Sequence, residues 1–254
     1  MLLKDKLITI IVVTYNVKYK LPVLLNNIVS QKTDEIELVL IDGNSTDGTK
    51  EIIKEYSNII DYYQSEKDIG IYDAMNKGLK LATGDIICFL NADDLYAAPN
   101  VLSRVAQTMA RNGLDAIIGD VGFFRQDNVS TTLRRYRSDR FTPKRLAWGW
   151  MPAHPALFLR RKVFERVGYF KTDYQIAGDY EHVVRAFCGA PLKYAHMPEI
   201  LVRMQMGGVS TRGLRATITL NQEILRACRE NGVSTNYLKI LTKYPAKLME
   251  FFRR

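Results

Sequence analysis

"DIICFLNADD", Asp85 to Asp94, is an apolar run that ends in an amide, an alanine and two adjacent carboxylates. Such a run reads as a strand entering a core, and carboxylates cannot be buried cheaply unless something holds them. The same pattern occurs three times upstream. Leu7–Val13 is continuous and β-branched and runs into "TYN" (14–16). "IELVLID" (36–42) runs into "GNSTDG", and "IIDYYQSE" (59–66) into "KDIG". Helical patterns fall between them, over Lys20–Gln31, from "TDGTKEIIKEYS" and over 71–82, with Ser45, Thr46 or Asp47 as candidate N-caps of the second. Continuous apolar strands alternating with helices predict a parallel sheet covered on both faces. Ligands of such sheets bind beyond the carboxyl ends of the strands, where all four polar clusters fall.

The second half is less regular. Strands are expected at Ala116–Phe124, Ser130–Tyr136, Ala156–Leu159 and Lys193–Val202, and helices at Arg161–Val167, Asp179–Cys188 and Gly213–Asn231. No repeat or low-complexity linker divides the 254 residues, so one domain over 1–233 is expected, followed by a distinct C-terminal segment over 234–254.

Composition narrows the function. Hydrophobic residues make up 47% and charged residues 25% of the chain, as in an ordinary globular protein. Cys88, Cys188 and Cys228 form neither a CxxC pair nor a Cys/His cluster, which fits a reducing compartment, so a cytoplasmic location is expected. No apolar run approaches the roughly 20 residues of a spanning helix. The net charge is +9, and residues 211–254 hold nine Lys or Arg against three Glu. On a helical wheel Tyr237, Ile240, Leu241, Tyr244, Leu248, Phe251 and Phe252 share one face, and Lys239, Lys243, Lys247, Arg253 and Arg254 the other. A basic amphipathic helix suits an anionic membrane surface; packing on the domain with the basic face in water is the alternative. No nucleic-acid-binding motif is visible.

Two readings of the acidic pair stand. Oxygen ligands at a strand end suit a hard cation, Mg²⁺ or Mn²⁺, with water and substrate phosphate completing its shell. Alternatively, Asp94 makes a cap or an Asx-turn.

The set "VVTYN", "LIDGNSTDGT", "SEKDIGIYDAMNKGLKLATGD", "FLNADD" and "IAGDYE" resembles the family 2 glycosyltransferases over roughly residues 7–210. It is most similar to bacterial enzymes that build lipopolysaccharide, O-antigen or colanic-acid-type exopolysaccharide. The resemblance implies a GT-A fold, a Rossmann-like α/β architecture with a mixed, mostly parallel sheet flanked by helices. It also implies inverting transfer of a hexosyl or N-acetylhexosaminyl group from a nucleotide-diphosphate sugar, UDP-linked by preference. In this family's metal motif Asn91 takes the slot of the first acid, Asp93 becomes the metal ligand, and Asp94 supports the ligands from behind or meets the donor sugar. Thr14, Tyr15 and Asn16 correspond to the first nucleotide-binding loop, and Asp42 and Asp68 to further donor contacts. Asp179 matches the acid that opens the base helix, with Glu181 turned about 200° away on that helix. His154 and Ser210 are candidate acceptor or phosphate contacts. By the same resemblance the acceptor is a saccharide on a polyprenyl diphosphate at the cytoplasmic face of the inner membrane. Two rivals are a metal-dependent nucleotidyl- or phosphotransferase and a non-catalytic basic binding protein.

Overall fold

The computed structural model describes residues 7–125, 131–206 and 213–244. Strand β1 (Ile8–Thr14), helix α1 (Leu21–Val29), β2 (Ile36–Asp42), α2 (Thr49–Glu55), β3 (Tyr62–Ser65), α3 (Ile71–Leu81) and β4 (Ile86–Asn91) follow the expected alternation. They build the parallel half of one sheet, in the order β3-β2-β1-β4. Next come β5 (Asp94–Tyr96), α4 (Val101–Asn112), β6 (Ala116–Phe124) and β7 (Arg134–Tyr136). The chain ends with β8 (Leu157–Arg160), α5 (Arg161–Val167), α6 (Gly178–Gly189), β9 (Tyr194–Gln205), α7 (Gly213–Glu230) and α8 (Tyr237–Leu241). The sheet continues from β4 as β8-β6-β9-β5, with β7 on β6. Strand β8 is antiparallel to both neighbours, β6 and β9 are parallel, and β5 is antiparallel to β9. The sheet is therefore mixed and mostly parallel in its first half, as the sequence predicts.

The alternation of side chains across the strands splits the core in two. Ile11 and Val13 of β1 face α3, α6 and α7, whereas Ile8, Ile10 and Val12 face α1 and α4. Both faces being covered explains why the strands read as unbroken apolar runs.

Three expectations are corrected. Helix α2 is capped by none of Ser45, Thr46 or Asp47: its N-cap is Gly48 at φ 100, and Asp47 instead accepts the amide and hydroxyl of Thr49 from one residue earlier. A Cβ at residue 48 would meet the Lys18 side chain at 2.9 Å. Helix α4 was not anticipated, although Val101, Leu102, Val105, Ala106 and Met109 form a helical apolar stripe. Strand β5 was not anticipated either, because three residues beginning with a carboxylate look like a turn. In the C-terminal segment, Ile240 of α8 is buried in the core beneath the 3₁₀ turn Pro143–Trp148, while Tyr237, Leu238 and Leu241 are exposed. The remainder of the amphipathic pattern, 245–254, lies outside the described residues.

Candidate active site

Register places the polar strand ends in one row. Thr14 is opposite Asp42, Asp42 opposite Ser65, and Val13 opposite Asn91. Because the four strands are parallel, all four ends emerge on the same edge.

Asp42 is the hub of that row. It is fully buried and accepts the hydroxyls of Thr14 (3.1 Å), Ser45 (2.5 Å) and Ser65 (2.7 Å), with the Ser45 amide at 2.9 Å. Four donors make a buried carboxylate tolerable. Thr14 is buried with it. Asn16 sits at φ 51, in the left-handed region, and its side-chain oxygen accepts the Thr46 amide at 2.9 Å, while the Ser45 hydroxyl accepts the Asn16 amide. This lattice ties the first loop to the second.

Tyr15 and Asp68 meet on either side of Gly43. A Cβ on Gly43 would stand 2.8 Å from Asp68 Oδ2 and 3.2 Å from Tyr15 Cδ2. Tyr15 is two-thirds exposed, an open aromatic face beside a carboxylate. Asp68 is held by Lys77 at 2.6 Å, and Lys77 also pairs with Glu66 at 2.8 Å and Asp73 at 3.2 Å. Burial opposes the Lys77 charge, but the hydrogen bonds it donates to Asp68, Glu66 and Asp73 outweigh it and raise its pKa above the ordinary lysine value. The i,i+4 spacing of Asp73 and Lys77 was the only sequence sign of this hub.

At the end of β4, Asp94 turns inward. It is buried, and its Oδ2 accepts the Asn91 amide (3.3 Å) and the Asn91 side-chain amide (3.0 Å). Burial, then the neighbouring Asp93, push its pKa up to about 8. Asp93 points outward and pairs with Lys20 at 2.9 Å. Among the described residues no group of three His, Cys, Asp or Glu could close a cation site without help. Of the two carboxylates only Asp93 is turned outward, which fits a hard cation that would draw its remaining ligands from water and phosphate, while Asp94 is engaged with Asn91 behind it.

Asp179 lies in the first turn of α6, half buried, its Oδ1 accepting the Tyr180 amide at 2.7 Å. Burial raises its pKa, and nearby His154 partly offsets the effect. His154 stacks on Phe89 of β4 with centroids 5.4 Å apart and meets Phe170 edge-on at 6.0 Å. Burial holds its imidazole below the ordinary histidine pKa. Phe89 lies two residues before Asn91, so His154 packs near the end of β4 while acting electrostatically on Asp179. Tyr72 completes the neighbourhood: its hydroxyl donates to the Ile176 carbonyl at 2.6 Å and its charge environment includes Asp179. A Cβ on Gly178 would strike the Tyr72 ring at 2.7 Å, so glycine is what lets α6 begin there. Glu181 faces away, buried, and is neutralised by Arg185 at 2.8 Å and Lys171 at 3.1 Å. Ser210 lies outside the described residues. Tyr72 and Lys77 were not assigned from sequence.

Comparison with known proteins fits this arrangement. The family described as "Glycosyl transferase family 2" matches residues 9–168. A "PGL/p-HBAD biosynthesis glycosyltransferase" of Mycobacterium bovis (strain BCG / Pasteur 1173P2) is 32% identical over 207 residues, covering 80% of this chain and 78% of the relative. "Glycosyltransferase AglE" of Haloferax volcanii is 30% identical over 201 residues, 74% of this chain and 64% of its own length. Among solved structures, S. aureus TarS 1-349 in complex with UDP-GlcNAc superposes with a TM-score of 0.69 at 19% identity, covering 87% of this chain and 66% of that one. The mannosyltransferase PcManGT from Pyrobaculum calidifontis, in complex with GDP-Man and Mn²⁺, gives 0.65 at 23% identity, covering 89% and 64%. This chain therefore spans just under two thirds of those solved chains, and at such identities the likeness establishes the fold, which is GT-A.

Proposed function

The chain belongs to glycosyl transferase family 2, and from that premise we propose that it is an inverting glycosyltransferase using a nucleotide-diphosphate sugar, UDP-linked by preference. The observation that carries this reading is the in-register row of strand ends, with Tyr15 and Asp68 converging over Gly43 and the carboxylates Asp93 and Asp94 at the next strand end. Tyr15 offers a face for the base, and Thr14 and Asn16 shape the ribose side. Asp68, fixed by Lys77, meets the ribose or the donor sugar. Asn91 orients a sugar hydroxyl or water, with Asp94 anchoring it from beneath.

Asp93, supported by Asp94, would hold Mn²⁺ or Mg²⁺. Such an ion neutralises charge on the departing nucleoside diphosphate. TarS has been solved with a UDP-sugar and PcManGT with a GDP-sugar and Mn²⁺, which supports a nucleotide-sugar donor and a divalent ion here.

Asp179 acts as the base. The acceptor hydroxyl oxygen attacks C1 of the donor sugar, its proton passes to Asp179, and the bond from C1 to the diphosphate oxygen breaks with its electrons leaving on the nucleoside diphosphate. One in-line displacement inverts C1. A carboxylate raised by burial is a stronger base than a free one. His154 lies on the acceptor side, against Phe89.

The acceptor class is a glycan or a lipid-linked saccharide, in the manner of cell-surface polysaccharide synthesis at the cytoplasmic face of the inner membrane. Exposed Tyr237, Leu238 and Leu241, with Lys239 stacked 5.7 Å from the Trp148 ring, support docking on an anionic surface. Among the described residues no helix is long and apolar enough to cross a membrane.

A melting panel of UDP-, GDP- and dTDP-sugars with and without Mn²⁺ tests the reading. The matching donor raises the melting temperature in the presence of the ion. No response to any donor would sink it.

A further inference from the structure

Residues 175–177, immediately before α6, present three consecutive backbone N–H groups to one side chain from elsewhere in the chain. Glu223, on α7 and nine-tenths buried, accepts the Gln175 amide on Oε1 at 2.7 Å, and the Ile176 and Ala177 amides on Oε2 at 2.9 and 2.7 Å. Amides at a helix start have no intrahelical acceptor, and together with the helix dipole they form a seat for an anion. Here a carboxylate from another helix fills that seat. Asp179, two residues further on, is not drawn into it and takes the Tyr180 amide instead. The same short segment is gripped from the opposite direction: the Tyr72 hydroxyl donates to the Ile176 carbonyl, and the Tyr72 ring fixes the approach at Gly178. A segment held through three amides and one carbonyl cannot shift its backbone without breaking buried, charge-assisted bonds.

We propose that Glu223 is a positioning residue for the transfer reaction, seating the start of α6 so that Asp179 stands where the acceptor hydroxyl arrives; this rests on the assignment of Asp179 as the base. Glu223 touches no substrate and acts only through Asp179. A misplacement of about 1 Å costs on the order of 10²-fold in rate, so Glu223→Ala lowers kcat by ~10²-fold while the donor KM stays within about twofold. Glu223→Gln keeps one acceptor oxygen and falls between the two.

The test combines these variants with Asp179→Asn. Initial rates are measured for the wild type, Glu223→Ala, Asp179→Asn and their double variant, and amide hydrogen exchange is followed in the peptide spanning 175–179. The expected result is a fall in kcat for Glu223→Ala, faster exchange in that peptide, and no further fall when Glu223→Ala is added to Asp179→Asn. An unchanged kcat, or the same fold loss in both backgrounds, overturns the proposal, since the latter would make Glu223 a general stabiliser. If Glu223→Ala does not fold, Glu223→Gln carries the same comparison. If the wild-type chain transfers no sugar, the glycosyltransferase reading is what fails; exchange at 175–179 then still decides the seat, and unchanged exchange in Glu223→Ala refutes it.

Discussion

The ammonium of Lys20 lies 2.9 Å from the outward carboxylate of Asp93. Both side chains are about one-third exposed, so the pair itself contributes at most about 1 kcal/mol. Its meaning is positional: on the proposed reading, Lys20 supplies the positive charge that a divalent ion would bring to Asp93. Lys20→Met should therefore bind Mn²⁺ several-fold more tightly in the absence of nucleotide, as read from the EPR signal of the free ion. Weaker binding would show that Lys20 does not compete for Asp93.

Asp179→Asn removes the proposed proton acceptor and little else, because the Tyr180 amide can still bond the remaining oxygen. The expected loss in kcat is ~10²–10⁴-fold, with the donor KM within about twofold. Product formation followed by mass spectrometry decides it, and a fully active variant would remove Asp179 from the mechanism.

His182 gives a pH prediction independent of the reaction. It is buried between the rings of Phe164 (4.9 Å) and Phe170 (4.5 Å), and its Nε2 has no hydrogen-bond partner. Burial, reinforced by Arg185, lowers its pKa to about 3 from an ordinary 6.5. The unfolded chain then binds a proton that the folded chain refuses between those values, so stability falls as pH drops from about 6.5 towards 3. His182→Phe removes this penalty. Its melting temperature should gain on the wild type by at least about 2 °C, the effect of about 1 kcal/mol in a domain of this size, as pH is lowered from 7 to 4.5. A constant difference across that range would contradict the burial argument.

Gly43→Ala probes the donor loop. The new methyl would force Asp68 or Tyr15 aside, since it would lie 2.8 Å from one and 3.2 Å from the other. Donor KM should rise about tenfold, equivalent to about 1.4 kcal/mol, with kcat little changed. An unaltered KM would mean that the Tyr15–Asp68 pair does not meet the donor.

How much of this was legible depends on where the physics resides. The strand ends could be read because burial on both faces demands continuous apolar runs, and those runs stop where the chain meets water. The place of Asp179 in the first turn of a helix was legible through its motif. The total burial of Asp42 was not, because a strand-end carboxylate that faces a ligand and one that gathers hydroxyls beneath it have the same local sequence. Tyr72, Lys77 and Glu223 sit on helices as ordinary amphipathic positions. Tyr72 and Glu223 take their roles from partners far along the chain, such as Ile176 for Tyr72, and no local pattern encodes such a meeting. Strand β5 exists only because β9 pairs with it, so its three residues carry no propensity signal of their own.

That last dependence sets an order of events during synthesis. Asp94 is paired opposite Met204, so the ledge bearing the acidic pair has no partner strand until the chain has been made as far as β9. At typical translation rates the intervening segment takes roughly 5–20 s to emerge. A nascent chain of the first 168 residues would carry every donor-side loop and still lack the strand that fixes Asp94. The half of the site that carries Thr14, Asp42 and Asp68 is thus written early and completed late, and the emerging polypeptide cannot finish the ledge bearing Asp93 and Asp94 before α6 has also left the ribosome.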